Sequence, residues 1–333
     1  MLNQSELASL SKGDSVDHFL LVKKCDLRLT KQNKEYLSLE LADKTLSVQS
    51  NLWDDVKNFY NLKTNIATGS IVRVKGQLDE YQGAPQIKIT EIRLAKEEDN
   101  VTPLDFIPRS SRDLNEMKNE FIARIKKVSN SYLNKLLKNI FSNERFEKYS
   151  AAPAGKQWHH SYISGLIEHT LEIIKICDLM CDIHSELNRD LLISGAMLHD
   201  FGKIEELSFD SAFEYTDKGK LIGHIVIASI IVSDEIKKIK DFPEDLKINL
   251  LHLILSHQGK LEHASPVVPK TLEAITLYQA DELSAKVNAY KLTLQSEIKQ
   301  NSKWTKFINL AGTDLYSHEL ENFPESENKT LFD

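Results

Sequence analysis

The pattern of apolar and polar positions changes period once along the chain, near Leu114. Between residues 16 and 94 the segments VDHFLLVKKCDLRLT, EYLSLELAD, TLSVQSNLW, GSIVRVKGQLDEY and APQIKITEIRL are short, alternating and rich in β-branched residues, with Lys, Asn and Gly turn signals between them. Alternation of period two sends successive side chains to opposite faces of a strand, so these five read as strands. A helical segment, roughly Asp54 to Leu62, falls between the third and fourth. Five strands with a helix in that position is the order of an OB barrel, a fold that often binds single-stranded nucleic acid. Residues 95–113, AKEEDNVTPLDFIPRSSRD, carry a charge run, two prolines and a Ser pair and read as a linker.

From Leu114 onward the period is helical, with Met117, Phe121, Ile125 and Val128 at i, i+4, i+8 and i+11. Residues 150–180 carry a breaker-rich loop and then a long apolar-periodic helix containing His169, and LLISGAMLHDFGKIEEL ends a second apolar helix on adjacent His199 and Asp200. IEELSFDSAFEYTDKG resembles a hairpin or ordered loop, a helix begins at His224, another ends on His257, and after the SPVVP loop a further helix brings in Asp281. Residues 291–333 are polar, with Trp304, Phe307, Tyr316 and Phe323 as anchors that can wrap back onto the body. The expected chain is therefore multidomain, β plus α. A five-stranded OB-type barrel occupies 1–95, a linker and basic helical segment 96–150, an all-α helical bundle 151–290, and a C-terminal extension packing on that bundle 291–333.

Composition adds compartment and charge. Hydrophobic content of 41% with 27% charged residues is that of an ordinary soluble protein, and no apolar run approaches the roughly 18 residues of a membrane span. The N-terminus lacks a basic region and an apolar stretch, so a cytoplasmic protein without membrane association is expected. Three cysteines, Cys25, Cys177 and Cys181, make no disulfide framework and read as small thiols. Residues 1–100 hold 14 Lys+Arg against 15 Asp+Glu, residues 101–150 hold 10 against 6, and residues 151–333 hold 18 against 28. The basic middle segment offers Lys126, Lys127, Lys135 and Lys138 as a surface for RNA or for solvent. In the barrel, Tyr36, Trp53, Tyr60 and Tyr81 are candidates for stacking bases, and Lys23, Lys34, Arg73, Lys75 and Lys88 for phosphates, although each aromatic taken singly also suits a core position.

The acidic region holds the candidate chemistry. His169, the adjacent pair His199-Asp200, His224, His257 and Asp281 lie inside or at the end of separate apolar helical segments. Imidazole nitrogens and carboxylate oxygens without thiolates suit Mn²⁺, Fe or Mg²⁺ better than a structural Zn²⁺ site. Four of them, His169, His199, Asp200 and Asp281, could hold one cation. With His224 and His257 there are enough donors for two, and Asp200 is best placed to bridge. Two cations about 3.5–4 Å apart can generate a nucleophile and stabilise both oxygens of a phosphoryl transfer. Gly202 would let the chain turn so that Lys203 returns over the site. His159 and His160, just before the first helix, could face the pocket, whereas His252, about one and a half turns before His257, lies on another helix face.

The order His169, His199-Asp200, His224, His257, Asp281 resembles that of the HD-domain metal-dependent phosphohydrolases. More closely, WHHSYISGLIEHT, LLISGAMLHDFGKIEEL, EYTDKGKLIGHI, SHQGKLEHASPVVPKTLEA and ADELSAK are similar to the YhaM-type 3′-to-5′ exoribonucleases, which join an N-terminal OB domain to an HD domain. The resemblance runs from the barrel to about residue 316. It implies manganese-dependent removal of nucleotides from the 3′ end of single-stranded RNA, and of single-stranded DNA to some extent, releasing nucleoside 5′-monophosphates. It also implies two divalent ions on the six donors, most readily Mn²⁺, with Fe²⁺, Co²⁺ or Mg²⁺ as alternatives. Asp200 and Lys203 would be catalytic, Tyr36, Trp53, Arg73, Lys75, Tyr81 and Lys88 would contact nucleic acid, and His159, His160 and Gln258 would line the substrate pocket. Gln258 stands where many relatives have a second His, and Tyr278-Gln279 precedes Asp281 where His is usual. Two other readings stay open: an HD phosphohydrolase acting on free or cyclic nucleotides, and a nucleic-acid-binding adaptor with a vestigial site. A homo-oligomer is compatible with all three.

Overall fold

The structure, a computed structural model, describes residues 4–81, 84–156, 158–209, 213–297 and 302–317. Five strands close into a barrel: β1 (Ser15–Leu29), β2 (Glu35–Ala42), β3 (Ser47–Trp53), β4 (Ile71–Tyr81) and β5 (Ala84–Leu94), in the order β1-β2-β3-β5-β4. The long β1 makes closure possible, because its first half pairs with β4 (Ser15↔Gln77 to Leu21↔Ile71) and its second half with β2 (Lys24↔Glu40 to Leu29↔Glu35). A bulge between Val22 and Lys24 marks the change of partner. Gln49↔Gln86 is the parallel contact that joins β3 to β5.

Alternation fills the barrel with Leu20, Val22, Leu37, Leu39, Leu41, Leu52, Val72 and Val74, all buried. Each such side chain contributes about 1.5–3 kcal/mol of burial. The helix expected near Asp54–Leu62 begins later, as α1 (Phe59–Asn65). Residues 54–58 are spent on turns, and Asn58 sits in the left-handed region at φ 67°, where Asn is tolerated. Phe59 and Leu62 then pack into the barrel core.

The helical domain comprises α2 (Leu114–Lys127), α3 (Ser131–Ile140), α4 (Asn143–Ala151), α5 (Gly165–Ile183), α6 (Arg189–Leu198), α7 (Lys203–Glu206), a two-stranded sheet of β6 (Leu207–Ser208) and β7 (Glu214–Tyr215), α8 (Asp217–Ile222), α9 (His224–Lys237), α10 (Glu244–Ser256) and α11 (Leu272–Glu297). Asp113, Asn130 and Asn188 cap α2, α3 and α6 by accepting backbone N–H bonds. One continuous core runs from Met117 and Phe121 on α2, through Leu166 and Ile173 on α5 and Leu192 and Met197 on α6, to Leu277 on α11.

The segment between the domains is packed rather than solvated. Phe106 and Ile107 bury against Leu21 of the barrel, with Phe19, Ile71, Ile163 and Phe213 around them. Ile163 N–H donates to Pro108 O at 2.9 Å, and Ser110 N–H donates to Ile163 O at 3.0 Å. The expected anchors Trp304, Phe307 and Tyr316 stay 46%, 64% and 42% exposed, so the ring of Trp304 meets Tyr316 rather than a core. Phe323 lies outside the described residues. Among the described residues no helix is long and apolar enough to cross a membrane.

Candidate metal centre and nucleic-acid face

Six side chains from five places in the chain meet inside the helical domain. His169 comes from the second turn of α5, His199 and Asp200 from the end of α6, His224 from the first residue of α9, His257 from the C-cap of α10 and Asp281 from the middle of α11. His169, His199, Asp200, His257 and Asp281 are buried, and His224 is partly so. Asp200 is the hub. Its Oδ2 faces His199 Nε2 at 3.3 Å and His169 Nε2 at 3.9 Å, and its Oδ1 faces His224 Nε2 at 3.3 Å and His257 Nε2 at 3.6 Å. Asp281 Oδ1 closes the other side at 3.0 Å from His169 Nε2.

The ring nitrogens that point away from Asp200 determine what those that point toward it can be. His199 Nδ1–H donates to the Ala196 carbonyl at 2.8 Å, His257 Nδ1–H to the Ile254 carbonyl at 2.7 Å, and His224 Nδ1–H to Glu206 Oε1 at 3.0 Å. Ser284 Oγ donates to Glu172 at 2.6 Å and accepts from His169 Nδ1–H at 2.9 Å. In the neutral rings each Nε2 then carries a lone pair turned toward carboxylate oxygens, which also offer only lone pairs, and His169 Nε2 alone is in hydrogen-bond geometry with one, Asp281 Oδ1 at 3.0 Å. The Nε2 atoms of His199, His224 and His257, together with Asp200 Oδ1, are buried with no hydrogen-bond partner. Acceptors do not crowd together unless a cation sits among them, and outward N–H bonds of this kind hold metal-ligating histidines in orientation. The donor atoms fall into two sets that share Asp200, one with His169 and His199 and one with His224 and His257. The residues present thus fit divalent cations.

The electrostatics agree. Burial alone would raise Asp200 and Asp281, but Lys203 and His199 beside Asp200, and His169 beside Asp281, hold both well below the usual carboxylate range. Burial pushes His169 down to about 4 and also lowers His257, keeping both rings neutral and able to donate a lone pair at neutral pH. His199 is opposed by burial, yet Asp200 draws it upward. Lys203 behaves similarly: burial disfavours its charge, and Asp200 outweighs burial and keeps it cationic. Its Nζ lies 2.8 Å from Asp200 Oδ2 and also donates to the Ala154 carbonyl. Two carboxylates against one ammonium leave the pocket negative.

Gly202 is required for a reason other than the turn expected of it. Its backbone is ordinary right-handed helix, at φ −63°. A Cβ there would meet His224 O at 2.0 Å, so the missing side chain lets the start of α9 press against the His199-Asp200 turn. Gly165 is similar, since a Cβ would meet His160 O at 2.0 Å. The loop ahead of α5 carries His160 and Ser164 at φ 43° and 66°, costly conformations that hold its histidines over the site. The rings of His159 and His160 lie 4.7 and 5.0 Å from that of His169, and His160 Nε2 faces Glu172 at 3.3 Å. Gln258 follows His257 without a side-chain hydrogen bond among the described residues, and Tyr278 lies where a Cβ on Gly259 would strike its ring at 2.2 Å. His252 accepts a bond from Lys270 N–H, away from the cluster.

On the barrel, Tyr36 and Trp53 are cross-strand partners with rings stacked at 4.8 Å, and Trp53 is 44% exposed. Tyr81 is exposed at the end of β4. The three cations expected on β4 and β5 already have carboxylate partners. Arg73 grips Asp17 through two bonds of 2.8 and 3.1 Å, Lys75 meets Glu91 at 2.9 Å and Lys88 meets Asp79 at 2.9 Å.

Sequence reasoning passed over Glu206, Ser284 and Glu172, the groups that orient the histidines. A signal existed for two of them, because Glu172 and Ser284 stand three residues after His169 and Asp281 on their helices and so share a face with them.

Comparison with known proteins completes the description. The sequence model of the HD domain family matches residues 166–286, and one described as an OB-fold nucleic acid binding domain matches residues 21–95. The chain is 32% identical over 283 residues to the 3′-5′ exoribonuclease YhaM of Bacillus subtilis (strain 168), covering 85% of this chain and 88% of that protein. It is 33% identical to the protein of the same name from Geobacillus sp. (strain WCH70), over 85% of this chain and 86% of that one. A third of that name, from Listeria monocytogenes serotype 4b (strain CLIP80459), is 34% identical over 86% and 90%.

Proposed function

The chain belongs to the YhaM family of 3′-5′ exoribonucleases, and from that premise and the cluster around Asp200 we propose that it hydrolyses phosphodiester bonds from the 3′ end of single-stranded RNA. The products are nucleoside 5′-monophosphates, and single-stranded DNA is a secondary substrate. One observation supports this above the others: three buried Nε2 atoms and a carboxylate oxygen, none with a hydrogen-bond partner, converge on one space.

Two divalent cations complete the centre in this reading, Mn²⁺ being the best match to an all-N/O donor set. His169, His199, Asp200 and Asp281 would hold one, and His224, His257 and Asp200 the other. Bound there, such a pair activates water and neutralises charge on the attacking and leaving oxygens of a phosphoryl transfer. The protein does the rest. Asp200 offers one oxygen to each set, Glu206 and the Ala196 and Ile254 carbonyls keep the imidazoles turned inward, and Ser284 with Glu172 does this for His169. Lys203 steadies Asp200 and brings a permanent positive charge to the side of the site that receives the phosphate. His159, His160 and Gln258 form the substrate wall, and the barrel holds the strand, with Tyr36 and Trp53 as a stacking surface. The setting is cytoplasmic.

The test is a 5′-labelled single-stranded RNA incubated with the protein and Mn²⁺ and resolved at single-nucleotide steps. A ladder shortening from the 3′ end is expected. RNA left intact while free nucleotides are hydrolysed would replace this reading with that of a nucleotide phosphohydrolase.

A further inference from the structure

We propose that RNA reaches the Asp200 cluster along one continuous track, across the outer face of β1–β3 and then through a basic cleft between the barrel and the helical domain, 3′ end leading. The proposal rests on the exoribonuclease reading above.

Strand register lays out the first half. Leu37, Leu39 and Leu41 of β2 point into the barrel, so Tyr36, Ser38 and Glu40 point out. Tyr36 lies between Arg28 and Trp53, Ser38 between Asp26 and Asn51, and Glu40 between Lys24 and Gln49. The face therefore begins at an aromatic platform and ends, four residues along β2, at Lys24. At a strand rise of about 3.3 Å per residue this is a path of about 13 Å.

The Lys24 end opens into a cavity of about 540 Å³. Its barrel wall presents Lys23, Lys24 and Glu40, and its helical wall Lys156, Ser161 and Glu214. The bulge between Val22 and Lys24 lets two consecutive lysines both stay exposed. The carboxylates in the cleft are engaged: Glu40 accepts from Ser47 Oγ at 2.7 Å, and Glu214 pairs with Lys156 at 3.0 Å. Lys24 meets Asp26 at 3.4 Å, and Lys23 has no ion-pair partner among the described residues. Lys23, unpaired, and Lys24 from the barrel thus face one space with Lys156 of the helical domain, whose charge is shared with Glu214, a chemistry that suits a phosphate backbone and leaves base identity unread.

The loop between α4 and α5 joins this cleft to the reaction site. Its Lys156 and Ser161 line the cleft, its His159 and His160 stand over His169, and its Ala154 carbonyl takes a bond from Lys203. A terminal phosphodiester at Asp200 places the upstream phosphates beside this loop and in the cleft, and the bases further upstream on Tyr36 and Trp53. The paired cations of β4 and β5, Arg73, Lys75 and Lys88, lie off this path.

The track predicts an order. KM is measured for wild type, Lys23→Gln/Lys156→Gln and Tyr36→Ala/Trp53→Ala on RNAs from two nucleotides to about sixteen, the upper site size of a barrel of this kind. The lysine variant should raise KM relative to wild type at shorter RNAs than the aromatic variant does. On long RNA the aromatic variant should lose roughly fivefold to more than a hundredfold per stacked base. The slope of log KM against log salt should fall by about 1.4 in the lysine variant, two contacts at about 0.7 each for a single strand, and stay unchanged in the aromatic one. Lys23→Gln alone, on an exposed and unpaired side chain, guards against a folding defect at Lys156 and should lower the slope by about 0.7. Both variants acting from the same length, the platform acting first, or an unchanged slope in the lysine variants overturns the track. A wild type that shortens no RNA overturns the exoribonuclease reading instead.

Discussion

The two domains handle polar groups in opposite ways. On the barrel, most charge lies at the surface and is matched in space: Arg73 with Asp17, Lys75 with Glu91 and Lys88 with Asp79. Exposed pairs of this kind are worth about 0–1 kcal/mol, so the barrel's stability comes from its apolar filling and its surface is free to meet a ligand. In the helical domain the polar groups are buried, converge on Asp200, and leave four acceptor atoms without a donor there. Uncompensated burial of this kind is destabilising until a cation fills it. The barrel's surface charges are thus satisfied by the protein itself, whereas the groups around Asp200 are satisfied only with a bound cation.

That contrast can be broken at Asp200 first. Asp200→Asn keeps shape but removes the charge that both donor sets share, and a loss in kcat of about two to three orders of magnitude is expected, as when a preorganised electrostatic group is removed. Circular dichroism should remain that of the folded protein. Activity within tenfold of wild type would take Asp200 out of the shared position.

The barrel offers the opposite perturbation. Leu39→Ala, at a side chain with no exposure, should cost about 2–5 kcal/mol in the barrel's unfolding, while Mn²⁺ affinity of the folded protein stays as it was. The complement is to add metal: Mn²⁺ at about a hundred times its dissociation constant should raise the stability of the helical domain by about 2.7 kcal/mol and leave the barrel's slowest-exchanging amides where they were. Hydrogen exchange followed by segment reads both. Equal protection of both domains by Mn²⁺ would mean that the two domains do not differ in their need for a cation.

A smaller effect tests orientation. Glu206→Gln retains volume but weakens the acceptor that fixes His224 Nδ1, and metal affinity should fall by about 10–100-fold with the fold intact. An unchanged affinity would show that the N-terminus of α9 alone positions His224.

Much of this is legible in the sequence alone. Alternation from residue 16 to 94 revealed the strands and their order because one face of each is buried, and the six donors stood out because polar ligand types rarely punctuate apolar helices. What stayed hidden depends on through-space neighbours. Nothing near Arg73 in the sequence announces Asp17, 56 positions away, as the partner that occupies it. Glu206 becomes an orienting group only when α9 returns 18 residues later with His224 at its start. Gly202 was read through backbone freedom, which is glycine's commonest use, whereas its role is set by a carbonyl arriving from α9.

If Asp200 joins two cation sites, the spin of Mn²⁺ reports it directly. Metal-stripped protein titrated with Mn²⁺ and followed by electron paramagnetic resonance should take up two equivalents, with the isolated-ion signal lost as the second binds and couples to the first through a shared carboxylate. His224→Ala should return a single, uncoupled ion. One equivalent with an uncoupled signal in the wild type, unaffected by His224→Ala, would contradict the account.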